Sequence, residues 1–198
     1  MPERAWTIVI PVKGTPGAKS RLDASPELAQ AIALDSVAAA IEAVRPGGGS
    51  VLVVTSPAAA AAFDSLGGRV VTDPGGGLRG AVGAGIAAAG TGAVGVLLGD
   101  VPALLPSELA AALTQAESHP RAFVADADGV GTVLITALHG RDHAPEFGGA
   151  SRAAHLAAGY VELDIDVASG LRRDVDIRTQ LETLDGRLGQ RTRAALGA

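Results

Sequence analysis

Short apolar runs of strand length recur along this chain, and a helical pattern follows each of the first four. The runs are residues 5–12, 51–55, 69–72 and 93–98. The helical stretches are 26–45, 57–66, one reaching residue 89 after DPGGGLRG, and 106–118. Pro26 stands at a helix start, where its missing N–H costs nothing, and Pro46 with three glycines stops that helix. Such alternation predicts an α/β layered fold with a largely parallel sheet. The run 93–98 is wholly apolar and is expected to be central, buried on both faces.

Beyond residue 118 the rhythm changes. Residues 121–125 and 132–137 read as strands joined by the turn DADGVG, then a short helix over 150–158 and a strand over 160–163. From residue 178 the chain reads as helical. No repeat or linker interrupts it, so 1–198 is expected to be a single domain. In open α/β sheets ligands bind beyond the carboxyl ends of the strands. The first loop, the DPGGG loop and GDVPAL all lie at such ends and are expected to converge on one cleft.

Composition narrows the function. A net charge of −5 and only 3% aromatic residues argue against a nucleic-acid binder, which needs a basic face and stacking platforms. With no cysteine, thiolate metal sites and a Cys nucleophile are excluded. The absence of a membrane-length apolar run and of a signal pattern predicts a cytoplasmic protein without membrane attachment.

The loop after the first strand, KGTPGAKSRL, is close to the P-loop pattern G-x-x-x-x-G-K-[ST] but fails it. Ala18 precedes Lys19, and Pro16 has no N–H to offer a phosphate. Lys13, Lys19 and Arg21 still supply cations beside a glycine-rich backbone. A solvated basic turn accounts for them equally well.

Asp100 lies just past the buried strand in LLGDVPAL, and Pro106 rather than Asp100 opens the next helix, which favours a metal ligand. Three D-x-D pairs follow, Asp126/Asp128, Asp164/Asp166 and Asp174/Asp176. In an extended segment such pairs point one way and can grip a hard cation. The first pair sits in a glycine-containing turn and reads as structural, the second as the polar face of a strand. Gly75, Gly77 and Gly80 fit G-x-G-x-x-G with Asp100 20 residues on, which keeps a non-catalytic dinucleotide-binding protein as a rival reading. His139 and His143 are four apart, but Gly140 and Pro145 argue against a helix there, leaving surface or packing roles. Thr132, and FGGAS with Gly148 and Ser151, suit an anionic small substrate, although an N-cap role explains Ser151 as well.

In order, PVKGTPGAKSRL, LLGDVPAL, GVGTVLIT, FGGAS with His155 and Gly159 behind it, and LRRDVD resemble the CofC/FbiD guanylyltransferases of deazaflavin coenzyme F-420 biosynthesis. The resemblance runs over residues 8–181. It implies a Rossmann-like three-layer nucleotidyltransferase of the GT-A, nucleotide-diphospho-sugar transferase kind, with a mostly parallel mixed sheet. It implies transfer of GMP from GTP to phosphoenolpyruvate, or to 2-phospho-L-lactate in the archaeal branch, with the product handed to the next enzyme of the pathway. Nucleotidyl transfer to a sugar phosphate or molybdopterin is a related reading. Matching positions make Asp100, Asp174 and Asp176 ligands of one or two Mg²⁺ ions and, with Lys19, the catalytic set. Thr132, Gly148 and Ser151 match the phosphoenolpyruvate site. Lys13, Gly14, Lys19, Arg21 and Asp73 fall on the nucleotide side. Two positions depart from the pattern: Leu78-Arg79 stands where relatives carry Leu-Asn, and Asp176-Ile177-Arg178 where they carry Asp-Thr-Pro.

Overall fold

A computed structural model describes residues 4–12, 25–176, 178–184 and 186–197. The first half folds as strand and helix in turn: β1 (Trp6–Pro11), α1 (Pro26–Val44), β2 (Ser50–Thr55), α2 (Ala60–Asp64), β3 (Arg69–Thr72), α3 (Gly77–Ala89), β4 (Ala93–Leu97) and α4 (Pro106–Ala116). The second half carries β5 (Arg121–Ala125), β6 (Thr132–Ala137), α5 (Ser151–Ala157), β7 (Val161–Glu162), α6 (Arg178–Thr183) and α7 (Gln190–Leu196). Single 3₁₀ turns lie at Gly140–Asp142 and Gly170–Arg172.

The seven strands form one mixed sheet in the order β3-β2-β1-β4-β6-β5-β7. β1 pairs in parallel with β2 and β4, and β3 with β2. β6 alone runs the other way, antiparallel to both β4 and β5, and β7 closes the edge in parallel with β5. As its apolar run predicts, β4 is buried along its whole length, between β1 and β6.

Alternate residues of each strand feed opposite faces of the sheet. Ile8, Ile10, Val51 and Val53 pack with α1, Phe63 of α2, and α4. Val9, Leu52, Val54 and Val96 pack with Ala81 and Val82 of α3. Helix, sheet and helix therefore make three layers, the architecture expected from the sequence. A third cluster joins Leu28 and Ile32 of α1 to Ala103, Val175 and the C-terminal Leu181, Leu184 and Leu188.

Local signals set the helix ends. Ser25 caps α1 by accepting from the Leu28 amide at 3.2 Å, with Pro26 in the first turn. The helix expected over 57–66 is shorter, because its beginning is spent in a turn around residues 57–59. Among the described residues no helix is long and apolar enough to cross a membrane.

Candidate active site

The carboxyl ends of β1, β4 and β5 open onto one cavity of about 490 Å³, a size suited to a small ligand. Pro11 and Val12 reach it from β1, and Leu98, Gly99 and Asp100 from β4. Asp126 lines it just past β5, and Thr132 at the start of β6. Gly148, Gly149 and Ser151 form another wall, and Asp174 and Asp176 arrive from the C-terminal segment. The structure thus brings Asp100, Asp174, Asp176, Thr132, Gly148 and Ser151 together although they lie up to 76 positions apart in the chain.

Backbone bonds hold the acidic loops. Asp100 follows β4, and the next amide, Val101, donates to Ser36 Oγ of α1 at 3.2 Å. The Val175 amide donates to the Asp100 carbonyl at 2.9 Å, so the two carboxylates flanking Val175 are delivered beside the third. Upstream, the Arg172 guanidinium straps this segment to the end of β5. Its Nη2 donates to the Asp126 carbonyl at 2.7 Å, Nε to that of Ala125 at 3.1 Å, and Nη1 to that of Ile165 at 2.9 Å. Gly170 lies so tightly on the Ala103 carbonyl that a side chain there would collide with it.

The acidic cluster carries an electrostatic cost. Burial, and next the charge of Asp100, followed by those of Asp126 and Asp176, push the Asp174 carboxyl up to about 7. Asp126 was expected to be structural, and it does close its turn, accepting from the Val130 amide at 2.9 Å and from the Gly131 amide at 2.7 Å. It also faces the cavity and adds to the field on Asp174, which the D-x-D pattern alone did not reveal.

Thr132 and Ser151, which line the same cavity, are both buried, 3% exposed each. Behind them sits His155, fully buried, whose Nδ1 lies 3.0 Å from Thr132 Oγ1 and whose Nε2 accepts from the Glu146 amide at 2.9 Å. Burial lowers its pKa.

The other expected residues fall as follows. Lys13, Gly14, Lys19 and Arg21 lie outside the described residues. Asp73 accepts from the Gly75 amide at 2.8 Å, which shapes the DPGGG loop, and Leu78 beyond that loop reaches the cavity. The glycine fingerprint does not make a dinucleotide site: its loop leaves β3, the sheet's edge strand, rather than a central strand. Gly80 is required there because a Cβ would strike the Gly75 carbonyl. His143 is a packing residue, its Nε2 3.0 Å from the Val94 carbonyl and its Nδ1 3.0 Å from the Tyr160 hydroxyl. Burial lowers its pKa to about 4. Arg79, at the position departing from the expected Leu-Asn, pairs with Glu146 across 3.6 Å.

Residues 28–163 match the MobA-like NTP transferase domain. A phosphoenolpyruvate guanylyltransferase of Streptomyces coelicolor is 46% identical over 183 residues, covering 86% of this chain and 85% of the relative. Another from Salinispora arenicola is 47% identical over 203 residues, covering 98% and 93%. The chain belongs to the phosphoenolpyruvate guanylyltransferase family. In shape, a nucleotidyl transferase from Methanothermobacter superposes with a TM-score of 0.63 over 92% of this chain and 96% of its own, at 20% identity, a likeness of fold.

The donor set is consistent with a hard divalent cation. Asp100, Asp174 and Asp176 offer carboxylate oxygens, and burial first, with the neighbouring carboxylates next, makes a charged Asp174 costly without a proton or a cation beside it. Among the described residues no three acidic or imidazole side chains form a ready-made cage. Mg²⁺ suits such a site, since it keeps waters and shares its shell with substrate phosphates rather than demanding a full protein cage.

Proposed function

We infer that the protein is a guanylyltransferase that joins the GMP unit of GTP to phosphoenolpyruvate, giving enolpyruvoyl-diphospho-guanosine and pyrophosphate. The observation that carries the reading is one cavity lined both by Asp100, Asp174 and Asp176 and by Thr132, Gly148 and Ser151. The names of the relatives support the same substrates.

Two polyanions must be aligned and their charge neutralised. Asp100, Asp174 and Asp176 would hold one or two Mg²⁺ ions, which supply charge neutralisation at the phosphates. Lys13, Gly14, Lys19 and Arg21, which lie outside the described residues, are assigned to GTP phosphate binding from their charge and sequence position, and Asp73 orders the DPGGG loop on the nucleotide side. Lys19 takes a catalytic part by countering charge on the departing pyrophosphate. Thr132, Gly148 and Ser151 hold the acceptor. A phosphate oxygen of phosphoenolpyruvate forms a bond to the α-phosphorus as the bond to the β-phosphate oxygen breaks, and the electron pair leaves with pyrophosphate. No general base is required, because a phosphate at neutral pH is already an anionic nucleophile. We place the reaction in the cytoplasm, within the assembly of deazaflavin coenzyme F-420.

The test is pyrophosphate release with Mg²⁺, each nucleoside triphosphate in turn, and phosphoenolpyruvate, 2-phospho-L-lactate or a sugar phosphate. Release with GTP and phosphoenolpyruvate alone is expected. Turnover with phospholactate instead would reassign the acceptor, and nucleotide binding without turnover in every combination would overturn the enzyme reading.

A further inference from the structure

We propose that His155 is a positioning residue that fixes the Thr132 hydroxyl as a hydrogen-bond donor aimed at an anionic oxygen of the acceptor substrate. The proposal rests on the guanylyltransferase reading for the identity of that substrate.

The partners of the ring decide its tautomer. The Glu146 amide donates to Nε2 at 2.9 Å, so Nε2 must present a lone pair. A neutral imidazole then carries its proton on Nδ1, which lies 3.0 Å from Thr132 Oγ1 and donates to it, with the Ser151 carbonyl as a second acceptor. Thr132 therefore accepts from His155 and keeps its own hydroxyl hydrogen for another partner. Among the described residues its hydroxyl makes no other hydrogen bond, and Thr132 lines the cavity.

The ring is held in this orientation by aromatic neighbours. Phe147 and Tyr160 meet it edge-on at centroid distances of 5.3 Å each, and Phe123 lies 5.9 Å away. Phe147 also lines the cavity, so the same packing joins the His155 pocket to the substrate wall. A threonine beside solvent can donate or accept by rotating its hydroxyl. Beside this imidazole one lone pair of the hydroxyl is already taken by Nδ1–H, and its hydrogen is left for the cavity. A carboxylate or phosphate oxygen, which can only accept, satisfies that hydrogen, whereas a ligand N–H, which can only donate, leaves it unpaired. The device favours an accepting oxygen on the substrate without adding a charge that would attract the nucleotide's phosphates.

Two measurements test this. The ¹⁵N shifts of the imidazole in the ligand-free protein should show a neutral ring protonated at Nδ1; a ring protonated at Nε2 overturns the proposal whatever the protein catalyses. Steady-state kinetics should then separate the two substrates. His155→Phe keeps an aromatic ring and removes the donor, and it should raise KM for phosphoenolpyruvate about tenfold or more, the loss of one bond to a charged group, with KM for GTP unchanged. Thr132→Val should do the same, and the double variant should be no worse than Thr132→Val alone, because His155 acts through Thr132. His155→Asn, which can return an N–H near the Nδ1 position, should recover most of the loss. Additive losses, or equal losses for both substrates with no recovery in His155→Asn, mean that the histidine only packs. Absence of turnover with GTP and phosphoenolpyruvate in the unmodified protein sinks the functional reading instead, and leaves the tautomer to be judged by its shifts.

Discussion

The amide of Val175 donates to the carbonyl of Asp100 across 2.9 Å, and this bond sets the D-x-D pair beside the carboxylate at the end of β4. Chain segments more than 70 positions apart thus share one acidic wall. What binds there is decided by charge.

Replacing Asp100 by Asn should lower turnover by at least about 10²-fold while leaving the fold intact, as expected for loss of a metal-binding charge worth several kcal/mol. Millimolar Mg²⁺ at pH 8 should raise the Tm of the unmodified protein and should fail to do so for Asp174→Asn. Full activity of Asp100→Asn, with unchanged melting behaviour in Mg²⁺, would remove the metal assignment.

Stability of the metal-free protein should depend on pH through Asp174. In the folded chain this carboxyl keeps its proton up to about 7, whereas unfolded it ionises near 3.8. Between those values the folded state binds more protons, so this group makes stability fall as pH rises. His143 acts in the opposite sense: its contribution is present above 6.5 and is lost as pH falls through about 4. Urea titrations of the unmodified protein and Asp174→Asn across this range isolate the first effect, since the variant should lose only the downward slope.

Gly170→Ala should destabilise by about 1–3 kcal/mol, the cost of forcing extra atoms into packed structure. The added methyl meets the Ala103 carbonyl, so the turn carrying Arg172 has to move. Because Arg172 straps the acidic segment to β5, activity should fall further than stability does. Equal activity and an unchanged urea midpoint would mean that the turn is free to shift.

Asp35 should prove to be the latch of the C-terminal helix. Its Oδ2 accepts from the Thr192 amide and hydroxyl, both at 2.8 Å, and its Oδ1 lies 3.4 Å from Arg191 Nη1. Asp35→Ala leaves buried donors unpaired and should cost about 2–3 kcal/mol, with α7 cut early in limited proteolysis. Arg79→Asn gives a contrast. Its ion pair with Glu146 is exposed and should change stability by less than about 0.5 kcal/mol, so an altered KM for GTP in that variant would report nucleotide contact rather than folding.

Much of the layer order was legible because apolar runs such as 93–98 state both strand and burial, and Pro26 and Pro106 mark helix starts. Asp100 was conspicuous for a similar reason, being a carboxylate at the end of an apolar run. What the sequence left hidden are contacts made through backbone atoms, which have no residue signature. The Val175–Asp100 bond, the carbonyls gripped by Arg172 and the Glu146 amide on His155 are of this kind. Asp126 was read as a turn former, which it is, but its place beside Asp174 depends on how β5 ends against a segment almost 50 residues later. The glycine fingerprint, kept as a rival reading, matched by spacing alone, while the strand before it stands at the edge of the sheet.

Because β6 alone runs against its parallel neighbours, its first residue meets the rim that β5 reaches with its last. Asp126 and Thr132, which both line the cavity, are therefore carried by one hairpin whose turn Asp126 ties to the Val130 and Gly131 amides. The corner that holds Asp126 and Thr132 is in effect a cassette: grafting residues 126–132 between relatives should exchange that corner without disturbing the crossover helices, whereas a single insertion in the turn would swing Thr132 out of line with His155.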